Sequence, residues 1–332
     1  MSNVSPIFKP PKSRHLVSAW MLHSHASHAL EVATEFRDIL DQVVFMCDHA
    51  QADGSLPASW PVEERKELTA QLNELGVSTL NDYSGLRETW AELAKTPGAI
   101  DALVENMVRE CEQTGADGVD LDFEQIDPRE RFAFGEFVRR LSKALHQRAK
   151  MLSICTASPS RTETRDHGLP FLDTFCLGHY ADHIRPMNYD LFYPSSPILG
   201  PTSTAPWARE RMEYLSLQVP RHKIIMGLPT YSVDWDVTDP EKSRQIYDYE
   251  WLAAREKESE ISRAWLPHWD VGLMRYLDNE GHIHLVYVTD ARSTQSHLET
   301  VDALGLAGIC FWVLMGEDPA IWECVRRYFG RR

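Results

Sequence analysis

Eight short apolar runs, separated by stretches of helical periodicity, limit this chain to few folds. They are HLVSAW (15–20), VVFMCD (43–48), VSTLNDY (77–83), GVDLDFE (118–124), LSICTA (152–157), HIRPMNYD (183–190), IIMGLPTY (224–231) and GICFWVL (308–314). Each has the length of a strand. PVEERKELTAQLNELG and RERFAFGEFVRRLSKALHQR, which lie between runs, carry apolar residues at three- and four-residue steps and predict amphipathic helices. Strand and helix in alternation build parallel βαβ units. Eight such units predict an α/β fold closed into a (β/α)8, or TIM, barrel rather than an open doubly wound sheet. No G-x-G-x-x-G follows the first run, which argues against a dinucleotide-binding sheet. The interval 232–306, between the seventh and eighth runs, is too long for one crossover helix. It contains the turn Asp278-Asn279-Glu280-Gly281 between two strand-like segments, which predicts a small α+β insertion with an antiparallel hairpin. Residues 1–14 read as an N-terminal extension and 15–332 as a single barrel domain.

The fourth run poses a chemical problem. Gly118 to Glu124 alternates strictly, so in a strand Asp120, Asp122 and Glu124 share one face and Val119, Leu121 and Phe123 the other. The apolar face calls for a covering layer of helices. The three carboxylates, spaced about 6.6 Å apart along the strand, would repel one another if all were ionised. A solvated edge strand does not account for so bulky an apolar flank.

Composition narrows the partners. The chain is 43% hydrophobic and 25% charged, which is ordinary globular usage, and its net charge of −15 disfavours nucleic acid and anionic membranes. No run of eighteen apolar residues predicts a membrane span, and the first twenty residues lack the apolar core of a signal peptide, so a cytoplasmic location is expected. The six cysteines form no C-x-x-C pair and several fall in apolar runs, as reduced core thiols would. HSHASH (23–28) resembles a metal-ligand spacing, but without carboxylate or cysteine support it reads as a loop after the first strand.

In such barrels the site lies at the C-terminal ends of the strands. Those ends carry Trp20, Asp48, Tyr83, Glu124, Tyr189, Asp190, Tyr231 and Trp312. Aromatic residues and acids without a basic cluster fit an uncharged sugar better than a phosphorylated ligand. Two carboxyls on one strand face cannot straddle a glycosidic bond, as the paired groups of most glycosidases do. Asp122 is therefore poorly placed as a nucleophile but well placed to share a proton with Glu124, keeping Glu124 available as a general acid. A substrate 2-acetamido oxygen is the known substitute nucleophile.

DGVDLDFE (117–124) resembles the D-G-x-D-x-D-x-E signature of family 18 glycoside hydrolases, the chitinase family, and matches it at Asp117, Gly118, Asp120, Asp122 and Glu124. MNYD (187–190), GLPTYSVDW (227–235) and GICFWVLMGED (308–318) are similar to that family's sixth, seventh and eighth strand segments, in the same order. The segments around the seventh and eighth strands look like the spore-cortex-lytic N-acetylglucosaminidases and related chitinase-like proteins, although Thr289 stands where that subgroup often has Glu, and no LysM module is visible. The resemblance implies Glu124 as general acid and then base. It implies that Asp122 orients the acetamido group, that Asp120 tunes Asp122, and that Tyr189 hydrogen-bonds the acetamido oxygen. Met187 and Asp190 would shape the −1 subsite and Trp312 would floor it, with Tyr231 and Trp20 also lining the substrate site. It implies no metal and no organic cofactor, and a GlcNAc-containing glycan as partner. Two alternatives stay open: a silent sugar-binding protein, which in this family typically lacks the acid that Glu124 supplies, and an endo-acting enzyme on N-glycans, which shares the motif.

Overall fold

The computed structural model describes residues 10–57, 59–159, 173–255, 257 and 261–330. Residues 1–9 of the expected N-terminal extension lie outside them. The strands are β1 (Leu16–Leu22), β2 (Gln42–His49), β3 (Ser78–Gly85), β4 (Gly118–Phe123), β5 (Met151–Ala157), β6 (His183–Met187), β7 (Ile225–Pro229), β8 (Ser232–Asp236), β9 (Arg244–Ile246), β10 (Ser262–Leu266), β11 (Val271–Leu277), β12 (Ile283–Val288) and β13 (Gly308–Leu314). The eight predicted runs form one closed parallel barrel in the order β1-β13-β7-β6-β5-β4-β3-β2. Helices α1 (Ala26–Glu35), α2 (Val62–Glu74), α3 (Arg87–Leu93), α4 (Ala99–Thr114), α5 (Arg131–His146), α6 (Thr174–Tyr180), α7 (Ala205–Leu215), α9 (Ala291–Leu304) and α10 (Ala320–Phe329) accompany the barrel, and α8 (Tyr249–Arg255) belongs to the insertion.

The two faces of each strand go to different environments. Val119, Leu121 and Phe123 join the main core between sheet and helices. The Phe123 ring lies 6.0, 5.7 and 5.8 Å from those of Trp90, Phe134 and Phe137. Each such buried ring contributes about 1.5–3 kcal/mol, and together they fix the strand that carries the acids. Gly85 on the neighbouring strand makes room for this ring, because a Cβ there would sit 2.6 Å from Phe123. Inward-facing Trp20, Val44, Leu80, Cys155, Ile225 and Cys310 fill the barrel interior.

The expected hairpin is present, with Leu277 of β11 opposite Ile283 of β12. It belongs to a larger five-stranded antiparallel sheet, β10-β11-β12-β8-β9. The sheet is tied to the barrel where α9 begins. Asp290 caps that helix through Ser293 N (2.9 Å), Arg263 of β10 donates to Asp290 (2.9 Å), and the Arg292 guanidinium sits 3.7 Å from the centre of the Trp265 ring.

HSHASH is not a loop. It forms a 3₁₀ turn, His23–His25, and enters α1 at Ala26. His23 pairs with Glu64 (2.9 Å), His28 with Glu317 (3.1 Å) and His25 with Ser24 (2.8 Å), so each of these rings has a different partner. All six cysteines are free, five of them buried. Among the described residues no helix is long and apolar enough to cross a membrane.

Candidate active site

The mouth of the barrel is built from strand ends and the residues just beyond them. Glu124 follows β4 by one residue, and its N–H still donates to Gly85 O (2.9 Å), continuing the ladder. Gln125, at φ 55°, then turns the chain away. Asp122 and Glu124 are partly buried, and Asp120 lies beneath them fully buried. Asp120 Oδ2 accepts from Trp20 Nε1 (3.1 Å) and from the Cys155 thiol (3.2 Å), and its other oxygen is 3.6 Å from the Arg185 guanidinium.

Arg185 anchors the floor of the site. It is fully buried in the barrel and donates to Ser153 Oγ (2.7 Å), Ser18 Oγ (2.8 Å) and Gln42. A buried guanidinium needs a carboxylate and a full set of acceptors, and strands β1, β2, β4 and β5 supply them.

A fourth carboxylate belongs to the stack. Asp82 of β3 is paired in register with Asp120 and is almost fully buried. Its Oδ2 has no hydrogen-bond partner. Burial, then the charges of Asp122 and Asp120, raise its pKa well above the carboxylate range. Burial likewise pushes Asp122 up to about 8, reinforced by Glu124 and Asp120. The stack therefore holds protons at neutral pH, as closely packed carboxylates must. Asp82, Asp120 and Cys155 place three ligand-type atoms within 4.8 Å of one another. Burial raises the Cys155 thiol well above its ordinary range, which keeps it protonated, and Arg185 supplies the positive charge a metal would bring.

Opposite the acids stands an aromatic wall. Tyr189 stacks on Trp312, with centroids 6.3 Å apart at 21°, and meets Trp20 and Tyr231 edge-on at 6.5 and 6.4 Å. Tyr189 and Asp190 lie beyond β6, and Tyr231 beyond β7. Asp190 takes φ 57°, accepts from the Tyr231 hydroxyl, and also accepts from Gln245 Nε2 (3.3 Å) on the insertion. Tyr247, also from the insertion, packs on Tyr231 at 5.0 Å. The insertion therefore forms part of the wall. Burial raises the Tyr189 phenol well above its ordinary pKa, so it remains a hydrogen-bond donor. Two residues hold this wall in place. Gly227 of β7 lets Tyr189 and Met187 approach, since a Cβ there would meet Pro186 O at 2.7 Å and Tyr189 Cε1 at 3.3 Å. Thr230 accepts from Val313 N (2.8 Å) and donates to Val313 O (2.8 Å), fixing the backbone that carries Trp312.

Seven of the sequence-derived site residues thus gather at one mouth: Trp20, Asp120, Asp122, Glu124, Tyr189, Tyr231 and Trp312. Met187 ends β6 beneath them, and Asp190 joins through Tyr231. Two residues read as strand-end candidates do not belong. Tyr83 faces outward into the helical layer, where its hydroxyl donates to Glu110 (3.0 Å) beside Arg65 (2.6 Å). Asp48 follows an irregularity in β2 and is taken up by Ser59, whose N–H donates to it at 3.2 Å. The sequence reading missed Asp82, Arg185, Thr230 and Tyr247.

A closed parallel barrel with acids at the end of its fourth strand and aromatic residues opposite defines a (β/α)8 protein with its candidate site at the C-terminal mouth. The model of glycosyl hydrolases family 18 matches residues 60–318, and the chain belongs to that family. It is 25% identical over 289 residues to the cortical fragment-lytic enzyme of Bacillus subtilis, covering 85% of this chain and 66% of that protein. It is 26% identical over 213 residues to "Uncharacterized glycosylase YvbX" of B. subtilis, covering 63% of this chain and 60% of that protein. The chain thus spans about six-tenths of the length of the curated relatives it matches. Among solved structures, the spore cortex-lytic enzyme SleL of Bacillus megaterium superposes with a TM-score of 0.83 at 22% identity, over 97% of this chain and 75% of that one. A chitinase from Chromobacterium violaceum superposes with a TM-score of 0.85 at 23% identity, over 96% and 100%. The protein is a family 18 glycoside hydrolase related to chitinases and spore cortex-lytic enzymes.

Proposed function

We propose that the protein cleaves β-linked, N-acetylglucosamine-containing glycans, such as chitin oligosaccharides or peptidoglycan fragments, with retention and through the substrate's own acetamido group. The observation that carries this reading is the carboxylate stack. All its members lie on the adjacent strands β3 and β4 or just beyond them, on one side of the mouth, and the wall opposite is mainly aromatic, with its acid Asp190 engaged by the Tyr231 hydroxyl and Gln245 Nε2. With the paired acids on one side and Asp190 opposite held in hydrogen bonds to the wall, an internal nucleophile fits the arrangement.

In this reading Glu124 donates its proton to the glycosidic oxygen as that bond breaks. The acetamido oxygen forms the new bond to C1 and gives an oxazolinium ion. Asp122 orients the acetamido N–H and balances the positive charge, while Asp120, held by Trp20 and Arg185, sets its charge state. Tyr189 donates to the acetamido oxygen, and Trp312 carries the sugar face. Water then adds to C1 as the C1–acetamido oxygen bond breaks and restores the neutral acetamido group, and the water's proton passes to Glu124. Met187, Asp190, Tyr231 and Trp20 complete the −1 pocket.

The test is a panel of chito-oligosaccharide, peptidoglycan-fragment and N-glycan substrates resolved by mass spectrometry, with the product anomer read by NMR in early turnovers. GlcNAc-terminated fragments with β-anomer product are expected. Inverted product, or equal turnover of a matched glucoside lacking the acetamido group, rules out substrate assistance. Binding without turnover across the panel points instead to a sugar-binding protein.

A further inference from the structure

The far tip of the insertion holds a second cluster of ionisable residues. β8 and β12 are antiparallel neighbours, with His284 opposite Asp236. Alternation puts Asp234 and Asp236 on one face of β8, and His284, with His282 two residues before it, beside them. Each imidazole engages one buried carboxylate through Nδ1: His282 with Asp236 Oδ2 (2.8 Å) and His284 with Asp234 Oδ1 (2.8 Å). Both carboxylates are otherwise occupied. Asp234 Oδ2 accepts from the Tyr276 hydroxyl (2.8 Å), and Asp236 Oδ1 from the N–H groups of Thr238 (2.9 Å) and Asp239 (2.8 Å).

These bonds leave the Nε2 atoms for another partner. His284 is 8% exposed, and its Nε2 makes no hydrogen bond. That nitrogen lies 3.5 Å from Asp278 Oδ2 and 3.8 Å from Asp236 Oδ2. The turn supplies further ligand atoms. Asp278 Oδ1 is engaged by the N–H groups of Glu280 (2.9 Å) and His282 (2.8 Å). Asp278, Glu280 and His282 place ligand-type atoms within 4.8 Å of one another. His282 Nε2 is 3.9 Å from Glu280 Oε2. Tetrahedral zinc, with ligands at about 2.0–2.1 Å, sets its ligand atoms about 3.3–3.5 Å apart, close to the 3.5 Å between His284 Nε2 and Asp278 Oδ2 and the 3.9 Å between His282 Nε2 and Glu280 Oε2. At such a site Glu280 exchanges its exposed contact with Lys242 (3.2 Å) for the metal.

We propose that His282, His284, Asp278 and Glu280 form a binding site for zinc or a similar imidazole-preferring divalent cation, with Asp234 and Asp236 as positioning residues that fix the two rings through Nδ1. A ligating histidine nearly always donates its other ring N–H to a carboxylate or carbonyl, and this arrangement presents that feature twice. Two imidazoles disfavour calcium and magnesium, which take oxygen ligands. The site clamps the β11–β12 turn to the end of β8. It is separate from the barrel mouth, since β8 belongs to the antiparallel insertion sheet and the cluster lies at its Asp236 end, away from Ser232, which follows β7.

The experiment strips the full chain with chelator, adds zinc chloride at pH 7.5, and measures bound metal by mass spectrometry and affinity by competition with a chromophoric chelator. One zinc per chain and a rise in melting temperature are expected, with a tetrahedral visible spectrum on cobalt substitution. His284→Gln and His282→Gln should each weaken binding at least tenfold, and Asp236→Asn about 10–100-fold, as loss of a carboxylate partner does. Glu280→Gln, at an exposed position that cannot disturb folding, should also weaken binding. His23→Gln should bind as the wild type does. Failure to retain zinc, wild-type affinity in His282→Gln, His284→Gln or Glu280→Gln, or loss of binding in His23→Gln would overturn the assignment.

Discussion

Replacing Asp122 by Asn should make the protein more stable while removing most of its activity. Asp122 is partly buried beside Asp120 and Glu124, its Oδ1 has no hydrogen-bond partner, and its pKa rises from 3.8 to about 8. Between those values the unfolded chain has released the proton and the folded chain still holds it. Stability therefore falls as pH rises through this window, at about 1.4 kcal/mol per pH unit for one group. The limit at pH 7 is about 4 kcal/mol, and shared protonation within the stack reduces it to an expected 1–3 kcal/mol. Asn mimics the neutral carboxyl at every pH, so the variant avoids this loss. For a chain of this length the gain corresponds to a rise in melting temperature of about 1–4 °C. The assay is thermal and urea unfolding of both proteins from pH 4 to pH 8. The stabilities should converge near pH 4 and separate progressively toward pH 7.5. An Asn variant no more stable than wild type at pH 7.5, or an advantage that persists unchanged at pH 4, would refute the reasoning.

Glu124→Gln should cut turnover by about 10²–10⁴, the usual contribution of a general acid, with an unchanged melting temperature and retained oligosaccharide binding by calorimetry. Gly227→Ala should cost about 1–3 kcal/mol by overpacking, because its Cβ meets the Pro186 carbonyl oxygen at 2.7 Å; raised KM with displaced Tyr189 in a crystal structure is the expected signature, and wild-type kinetics would contradict it. Thr230→Val leaves the Val313 N–H and carbonyl without their side-chain partner, a loss of about 1–3 kcal/mol, and Trp312 fluorescence should change with it. Arg65→Met strands Glu110, which also holds Tyr83, in a buried setting; a destabilisation of about 3–5 kcal/mol is expected, read by urea unfolding, and a neutral effect would contradict it.

What was legible in the sequence follows from which interactions are local. The acids of β4 could be read because strict alternation over 118–124 fixes both faces without knowledge of any neighbour. The eight strands could be read because each is a local apolar run, and the next described element after every one but the seventh is helical. Asp82 could not, because its significance lies across the sheet: it matters only through its register with Asp120, which the stagger of the closed barrel determines. Counting the last residue of the third run selected Tyr83, whereas the phase of the strand selects Asp82. Leu80 faces the barrel interior, so Asp82 two residues on faces it too, and Tyr83 turns outward to Glu110. Strand phase, not strand end, was the signal available. Asp48 fails by a different route, because the irregularity between Met46 and Asp48 breaks the phase that alternation assumes. The insertion shows the same division. Its hairpin was marked by a local turn. The segment SVDWD, which opens the predicted insertion, forms β8, and its alternating Asp234 and Asp236 become meaningful only when β12 brings His282 and His284 beside them.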